Sequence, residues 1–230
     1  TGGIDHIPVH HTDEIAQSET FTGKTFSNYW LHCNHMKSEG QKISKSLGNG
    51  FNLEELKARG FSPIDFKMFV LQSQYQTESN FNFESLQAAK NRLKNWQNIA
   101  NMRWQIKGSE GEIPSLAAKN VILEEINENL DTPKALAKID EVFSEIIKTN
   151  PEKLNCQNLI ELLEFIDNLL GLNILGSTPD IPDEIKQKII ERNAARAEKD
   201  WAKSDKIRDE LLSKNIVLRD TPKKSFWEYK

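Results

Sequence analysis

The sequence has few cysteines and no long hydrophobic run. Cys33 and Cys156 are its two cysteines in 230 residues, which argues against a disulfide framework and favours a reducing compartment such as the cytoplasm. No apolar stretch approaches the roughly 20 residues that cross a bilayer, so a membrane protein is not expected. With 37% hydrophobic and 28% charged residues, the composition is typical of a globular protein of one to three domains.

Charge and histidine are unevenly distributed. The net charge of -4 is the balance of two unlike regions: residues 183–230 hold 13 Lys/Arg against 10 Asp/Glu, and the rest of the chain carries -7. The histidines fall within the first 35 residues, at His6, His10, His11, His32 and His35. We therefore expect chemistry near the start of the chain and a basic surface near its end.

The hydrophobic spacing predicts a mainly α chain. A short helix over residues 10–18 should follow an extended segment, with Pro8 just outside its start, and residues 28–37 should form a strand. Further helices are predicted at residues 52–60, 83–105, 115–129, 131–147 and 183–214. Another helix is predicted to begin at residue 63, and one more to end at Gly171. Asn52 and Ser62 are the predicted N-caps of the helices that follow them. Residues 171–182 have the composition of a linker, and residues 216–229 that of a small hairpin.

Two lysines three residues apart mark a loop after the predicted strand. Lys42, Ser44 and Lys45 are followed by glycines that leave the backbone mobile. Ammonium groups on a mobile loop neutralise the charge of a leaving polyphosphate, so the loop is a candidate nucleotide site. The alternative is an ordinary solvated loop.

A second constellation lies on the first predicted helix. His10 and His11 are four and three residues before Glu14, so either imidazole shares a helix face with the carboxylate. An imidazole and a carboxylate are half of a zinc site, and a surface hydrogen-bonded pair is the alternative. On a strand His32 and Cys33 point to opposite faces, which argues against a second metal site there.

Basic residues recur along the last predicted helical region. If residues 184–212 are mainly helical, their spacing places them on one stripe: Lys188, Arg192, Arg196, Lys199, Lys203 and Lys206. Such a stripe can follow a phosphate backbone, and Trp201 and Trp227 can stack on unpaired bases. Acidic residues such as Asp220 are candidates to read bases, whereas a salt-bridged solvent face is the alternative.

These segments together resemble one family. The motifs that carry the resemblance are residues 2–5, 10–19, 29–32, 42–49, 131–136, 191–211 and 220–222, with Trp227. They resemble the cysteinyl-tRNA synthetases, class I aminoacyl-tRNA synthetases that form cysteinyl-adenylate from cysteine and ATP and transfer the cysteinyl group to tRNA(Cys).

The resemblance implies roles for individual residues. Lys42 and Lys45 match the lysines of the signature loop, Ser44 lies between them, and Asp5 matches an acid that holds the nucleotide ribose. His10 and Glu14 match two ligands of a Zn²⁺ that binds the substrate thiolate, and ATP implies Mg²⁺. Ile43, Thr12 and Asp13 depart from the commonest family residues. The cysteine ligands and the HIGH-type ATP motif of the family do not occur, so we expect a carboxyl-terminal portion that is inactive alone.

The implied architecture has four parts. They are the end of an α/β, Rossmann-like nucleotide-binding domain (1–37), a signature-loop and stem-contact region (38–79), a helical bundle (80–175) and a small mixed anticodon-binding domain (183–230). The expected partners are tRNA(Cys), cysteine and ATP, without a membrane, in a cytoplasmic and preferably monomeric protein. A related cysteine:aminosugar ligase and a stand-alone tRNA-binding module are the alternatives. An aminosugar ligase has no anticodon to read and so does not need residues 183–230.

Overall fold

A computed structural model of the chain describes residues 1–106, 115–149, 153–220 and 225–230. These residues are mostly helical, as predicted. The chain divides into two compact units, the first being Thr1–Arg92 with Val121–Lys138 and the second Leu93–Asn120 with Ile139–Lys230. Among the described residues, no helix is both long enough and apolar enough to cross a bilayer.

The regular elements are bounded as follows. The α-helices are α1 (Thr12–Thr22), α2 (Leu53–Ala58), α3 (Pro63–Leu71), α4 (Phe83–Asn101), α5 (Ser115–Asn127), α6 (Thr132–Lys148), α7 (Cys156–Leu170), α8 (Asp183–Ala197) and α9 (Trp201–Ser213). The strands are β1 (Gly2–Gly3), β2 (His32–Cys33), β3 (Met36–Ser38), β4 (Gln41–Lys42), β5 (Ser79–Phe81), β6 (Ile216–Asp220) and β7 (Ser225–Tyr229).

The start of the chain is more helical than its sequence predicts. After β1, a 3₁₀ turn at Ile4–His6 leads into a π-helical turn at Ile7–His11, which continues directly into α1. The prediction that Pro8 lies outside the helix was wrong. Proline is tolerated in a first helical turn because its fixed φ suits the helix and its missing N–H has no partner there anyway.

The predicted strand over residues 28–37 is also shorter than expected. It is reduced to β2 and β3, which lie in different sheets. Asn34 separates them: its backbone N–H donates to the Tyr75 carbonyl (2.8 Å) and its side-chain amide to the Gln76 carbonyl (3.0 Å). Because Asn34 is bound to another segment, β2 pairs in parallel with β1, while β3 pairs with β4 and β5.

The core of the first unit is aromatic. Phe81 packs edge-on against Phe69 and Phe83, with ring centroids 5.5 and 5.4 Å apart. The predicted caps are confirmed: the side chains of Asn52 and Ser62 each accept a bond from the backbone N–H three residues on, in reciprocal capping boxes. These caps fix where α2 and α3 begin, and α2 is the first helix after the loop that carries Lys42 and Lys45.

Most of the buried hydrophobic side chains of the described residues lie in the second unit. Trp96 is buried, donates through its indole N–H to Asp140 (2.6 Å), and meets Phe143 edge-on at 5.5 Å. The predicted apolar stripes of α6 and α7 are confirmed with one exception, Ile147, which is 45% exposed. Gly171 ends α7 with the left-handed φ of 62° that its position predicts.

Residues 171–182 connect α7 to α8 but are packed instead of solvated. Leu172, Ile174 and Ile181 are buried, and the Asp167 carboxylate accepts the N–H groups of Ile174 (2.7 Å) and Leu175 (2.9 Å). The connection is therefore held in place by the bundle.

The last part of the second unit is a helix pair on a hairpin. β6 and β7 are antiparallel, as predicted, and the described core of this part comprises Ile181, Ile185, Ile189, Ile207, Leu211, Ile216 and Trp227. The predicted continuous basic stripe was wrong, because the helix breaks between α8 and α9, where Lys199 adopts a φ of 61°. Ion pairs from Lys188 to Glu210 and from Lys214 to Glu184 join α8 to α9 side by side.

Candidate functional site

Four histidines near the start of the chain lie in ring contact, and we call them the histidine cluster: His6, His10, His11 and His32. The His6 ring lies 5.2 Å from His10 and 5.4 Å from His11, centroid to centroid. His11 Nδ1 is 2.7 Å from His32 Nε2, so one imidazole donates a hydrogen bond to the other. The helical turn at 7–11 and the β1–β2 pairing bring the rings together.

Glycine at both positions of β1 lets these rings and the Asp5 carboxylate lie close to the backbone. A Cβ on Gly2 would lie 2.8 Å from His11 Cε1 and 2.9 Å from His6 Nδ1. A Cβ on Gly3 would lie 2.3 Å from Asp5 Oδ1. The Gly2-Gly3 pair thus permits a close approach, and a larger residue at either position would displace these side chains.

The surroundings of His11 disfavour its charged form. Partial burial lowers the pKa of the His11 imidazole, and the neighbouring imidazoles of His32, His6 and His10 and the chain's amino terminus lower it further. The Trp30 ring lies next to the cluster and stacks on His32 with an interplanar angle of 3°.

Asp5 lies beside the cluster with its carboxylate exposed. Its nearest basic groups are His35 Nε2 at 3.5 Å and His6 Nε2 at 4.0 Å. Asp5 is therefore open to accept hydrogen bonds from a ligand, in the 3₁₀ turn Ile4–His6 that directly follows the two glycines.

The predicted zinc ligands lie on consecutive helical turns. His10 is the next-to-last residue of the π-helical turn Ile7–His11, Glu14 is in the first turn of α1, and both side chains are exposed. Among the described residues no group of three His, Cys, Asp or Glu side chains is arranged to hold a metal ion. An imidazole nitrogen and a carboxylate oxygen are donors that zinc accepts, and the assignment of His10 and Glu14 as two of its ligands stays a prediction.

Asn49 binds back to the start of the loop of residues 42–49, which we call the signature loop. Reasoning from the sequence did not single out this residue. The Asn49 amide donates to the Lys42 carbonyl (3.0 Å), and its Oδ1 accepts the Ser44 N–H (2.9 Å). Ser44 Oγ in turn accepts the Ser46 N–H (3.2 Å). Lys45 begins a 3₁₀ turn, Lys45–Leu47. An asparagine after a glycine is a common turn signal, and it marks this closure in the sequence.

The C-terminal candidates differ from one another in environment. Arg192 is 3% exposed and binds Asp220 with both terminal nitrogens, at 2.6 and 2.7 Å. Arg196, on the next turn of α8, pairs with the same carboxylate and is half-exposed. The Arg192 guanidinium, and then Ser225 and Arg196, hold the pKa of Asp220 well below its usual range against a smaller opposing effect of burial.

Three other candidates lie at the start of α9 and are open to solvent. Lys199 and Lys203 are exposed, form no ion pair within the described residues, and flank Trp201, which is 57% exposed. Trp227 is buried in the hairpin core, and its backbone N–H and carbonyl bind the Gln105 amide at 2.8 and 3.0 Å. Gln105, whose role no sequence signal marks, thus anchors β7.

Comparison with known proteins finds one family match at each end of the chain. A family model described as tRNA synthetases class I (C) catalytic domain matches residues 1–91, and one described as Cysteinyl-tRNA ligase anticodon binding domain matches residues 178–227. Similar curated relatives are the cysteine--tRNA ligases of Chlamydia muridarum, 35% identical over 95% of this chain and 50% of the relative, and of Treponema denticola, 34% identical over 99% and 51%. That of Solibacter usitatus is 34% identical over 100% and 52%. The chain spans about half the length of these relatives.

A solved structure shares the fold. It is the LeuRS of Agrobacterium radiobacter, solved as a ternary complex with tRNA and LeuAMS, with a TM-score of 0.54 at 17% identity over 80% of this chain and 29% of that one. Two family models that describe parts of a cysteinyl-tRNA synthetase match this one sequence, and the chain is similar along nearly all of its length to about half the length of the cysteine--tRNA ligases.

Proposed function

We propose that this chain contributes the signature loop and the tRNA-binding part of an enzyme that joins cysteine to tRNA(Cys) at the expense of ATP. The observation that carries the proposal is the presence of a catalytic-domain match at residues 1–91 and an anticodon-binding match at residues 178–227 in one chain. The aminosugar ligase is disfavoured because it has no anticodon to read. A stand-alone tRNA-binding module is disfavoured because it does not account for the catalytic-domain match at residues 1–91.

The signature loop acts in the first step. A carboxylate oxygen of cysteine bonds to the α-phosphorus of ATP, and the bond from that phosphorus to pyrophosphate breaks. Lys42 and Lys45 neutralise the charge that develops on the leaving pyrophosphate, and Ser44 donates to a phosphate oxygen. The Asn49 side chain, bound to both Lys42 and Ser44, holds the loop in the shape that these contacts need.

Asp5 and the predicted metal ligands act at the start of the chain. Asp5 accepts hydrogen bonds from the hydroxyl groups of the ATP ribose, which its exposed carboxylate suits. His10 and Glu14 would hold a Zn²⁺ as two of its ligands, and further ligands would have to complete the site. A bound zinc supplies a soft contact to the cysteine thiolate that a serine hydroxyl cannot reproduce. Mg²⁺ accompanies ATP.

The transfer step needs tRNA bound along the second unit. Lys199 and Lys203 contact backbone phosphates, and Trp201 between them stacks on an unpaired base. Lys188 has its charge engaged by Glu210 and adds less. The 3'-terminal hydroxyl of the tRNA attacks the carbonyl carbon of cysteinyl-adenylate, and AMP leaves. The two free cysteines agree with a reducing compartment such as the cytoplasm.

Binding of a labelled tRNA(Cys) transcript to this chain at several salt concentrations tests the proposal. We expect strong salt dependence, and we expect Lys199→Ala with Lys203→Ala to weaken binding of cognate and non-cognate transcripts alike and lower the salt slope by about two. Lys148→Ala, an exposed lysine on α6 outside residues 178–227, is the matched control and should change neither. The proposal would be overturned if the chain bound no transcript, or if the double variant kept the salt dependence of its parent.

A further inference from the structure

The Asp220 carboxylate, at the end of β6, accepts hydrogen bonds from three side chains. Arg192 Nη1 and Ser225 Oγ donate to Oδ1 at 2.6 and 2.5 Å, while Arg192 Nη2 donates to Oδ2 at 2.7 Å. Arg196 Nη1 donates to the same Oδ2. A carboxylate has about four lone-pair positions, so these four donors occupy its capacity.

The two arginines hold this carboxylate differently. The Arg192 side chain is 4% exposed, its Nε is buried, and Nη1 also donates to Ser225 Oγ at 3.0 Å. Arg192 therefore has no face with which to contact a phosphate. The Arg196 side chain is 40% exposed and bonds Asp220 through one nitrogen. An exposed single contact exchanges readily with solvent or ligand, whereas a desolvated bidentate pair does not.

We propose that Arg192 is a positioning residue for tRNA recognition: it holds the Asp220 carboxylate in place while Arg196 leaves Oδ2 for the RNA backbone. This inference rests on the proposed function. The vacated Oδ2 then accepts a hydrogen bond from an N–H on the Watson–Crick edge of an unpaired base, as carboxylates do with the amino group of cytosine. Arg192 thus acts on base discrimination, and Arg196 on backbone affinity.

The position of Asp220 suits this role. Asp220 and Ser225 form the last registered pair of the hairpin, so Arg192 links α8 to both strands at once. Lysine at position 192 keeps the charge but cannot make the bidentate contact, which leaves the carboxylate free to rotate. The effect of Arg192→Lys should therefore fall on specificity.

The test compares matched variants on neighbouring turns of α8, Arg192→Lys and Arg196→Gln, in the whole chain. Their affinities are measured for a tRNA(Cys) transcript and for one with exchanged anticodon bases, at several salt concentrations. We expect Arg192→Lys to lose about tenfold in affinity for the cognate transcript, to keep the affinity for the exchanged one, and to keep the salt slope. We expect Arg196→Gln to weaken binding of both and lower the slope by about one.

The outcomes separate the inference from the proposed function. A parent chain that does not distinguish the transcripts would overturn both. A parent that distinguishes them, with an Arg192→Lys variant that does so equally well or that lowers the slope by one, would overturn the inference alone. Thermal unfolding followed by circular dichroism verifies that each variant is folded, and Asp220→Asn, which must lose the same discrimination, replaces Arg192→Lys if that variant does not fold.

Discussion

Residues 1–50 and the second unit use their side chains in opposite ways. Of the side chains in residues 1–50 that the structure describes, Ser38 is the one that is buried, and every buried hydrophobic side chain of the described chain lies at Leu56 or beyond. In the second unit, by contrast, Trp96, Phe143 and Leu163 are 2% exposed or less. Within the described residues the first region is held with little burial, whereas the second is a scaffold stabilised by burial.

The difference teaches where substitutions should act. The early region holds its shape through glycines, ring contacts and backbone turns, which leave chemical groups open to ligands. The scaffold holds its shape through apolar area removed from water, which is worth about 25 cal/mol per Å². Variants of the first should change chemistry, and variants of the second should change stability.

The largest effect is expected in the scaffold. Phe143→Ala removes a ring that packs edge-on against Trp96 and leaves a cavity, so we expect a loss of about 3–5 kcal/mol in the free energy of unfolding. Phe21→Ala, at a position that is 91% exposed, should change it by less than about 0.5 kcal/mol. Urea unfolding followed by circular dichroism measures both. Equal losses of unfolding free energy for the two variants would contradict the claim that the two regions are stabilised differently.

The next effect belongs to chemistry. Lys45→Ala, in the enzyme that carries the whole catalytic domain, should slow ATP–pyrophosphate exchange about a hundredfold, because a contact to the leaving group is lost. The urea midpoint should not move. Lys24→Ala removes the same charge at a different position, which is exposed, and should leave exchange unchanged. Exchange within a few fold of the parent would remove Lys45 from this role.

A smaller effect is expected from the ion pair inside the scaffold. Asp220→Asn leaves the buried Arg192 without its counter-charge, and we expect a loss of about 2 kcal/mol in unfolding free energy at pH 7. The pKa of Asp220 is lowered by folding, so the carboxylate stabilises the fold above the unfolded-state pKa of about 3.9, and this contribution falls as the pH drops toward the folded-state value. The difference between parent and variant should therefore narrow below about pH 4. A difference that is constant with pH would contradict this assignment.

The smallest effect concerns metal. Two ligands make a weak zinc site, so metal analysis after dialysis should find this chain well below one zinc per molecule, and His10→Ala should change that content little. Stoichiometric zinc that resists dialysis would mean that another residue of this chain completes the site.

The sequence by itself determined the elements that depend on local signals. The caps at Asn52 and Ser62, the stop at Gly171, the apolar stripes of α6 and α7, and the terminal hairpin were all predicted. Each rests on residues close in sequence, whose backbone preferences and periodicity act within one or two turns. The family motifs were equally readable, because they are short and ordered.

The tertiary structure alone decided which side chains meet. Spacing placed Arg192 on a basic stripe with Lys199 and Lys203, but its guanidinium is buried against Asp220, 28 residues away. The His11–His32 contact and the docking of β7 on Gln105 likewise join distant residues. Periodicity reports which face of a helix a residue occupies, whereas burial and pairing depend on what packs against that face, and that is set by contacts between segments remote in sequence.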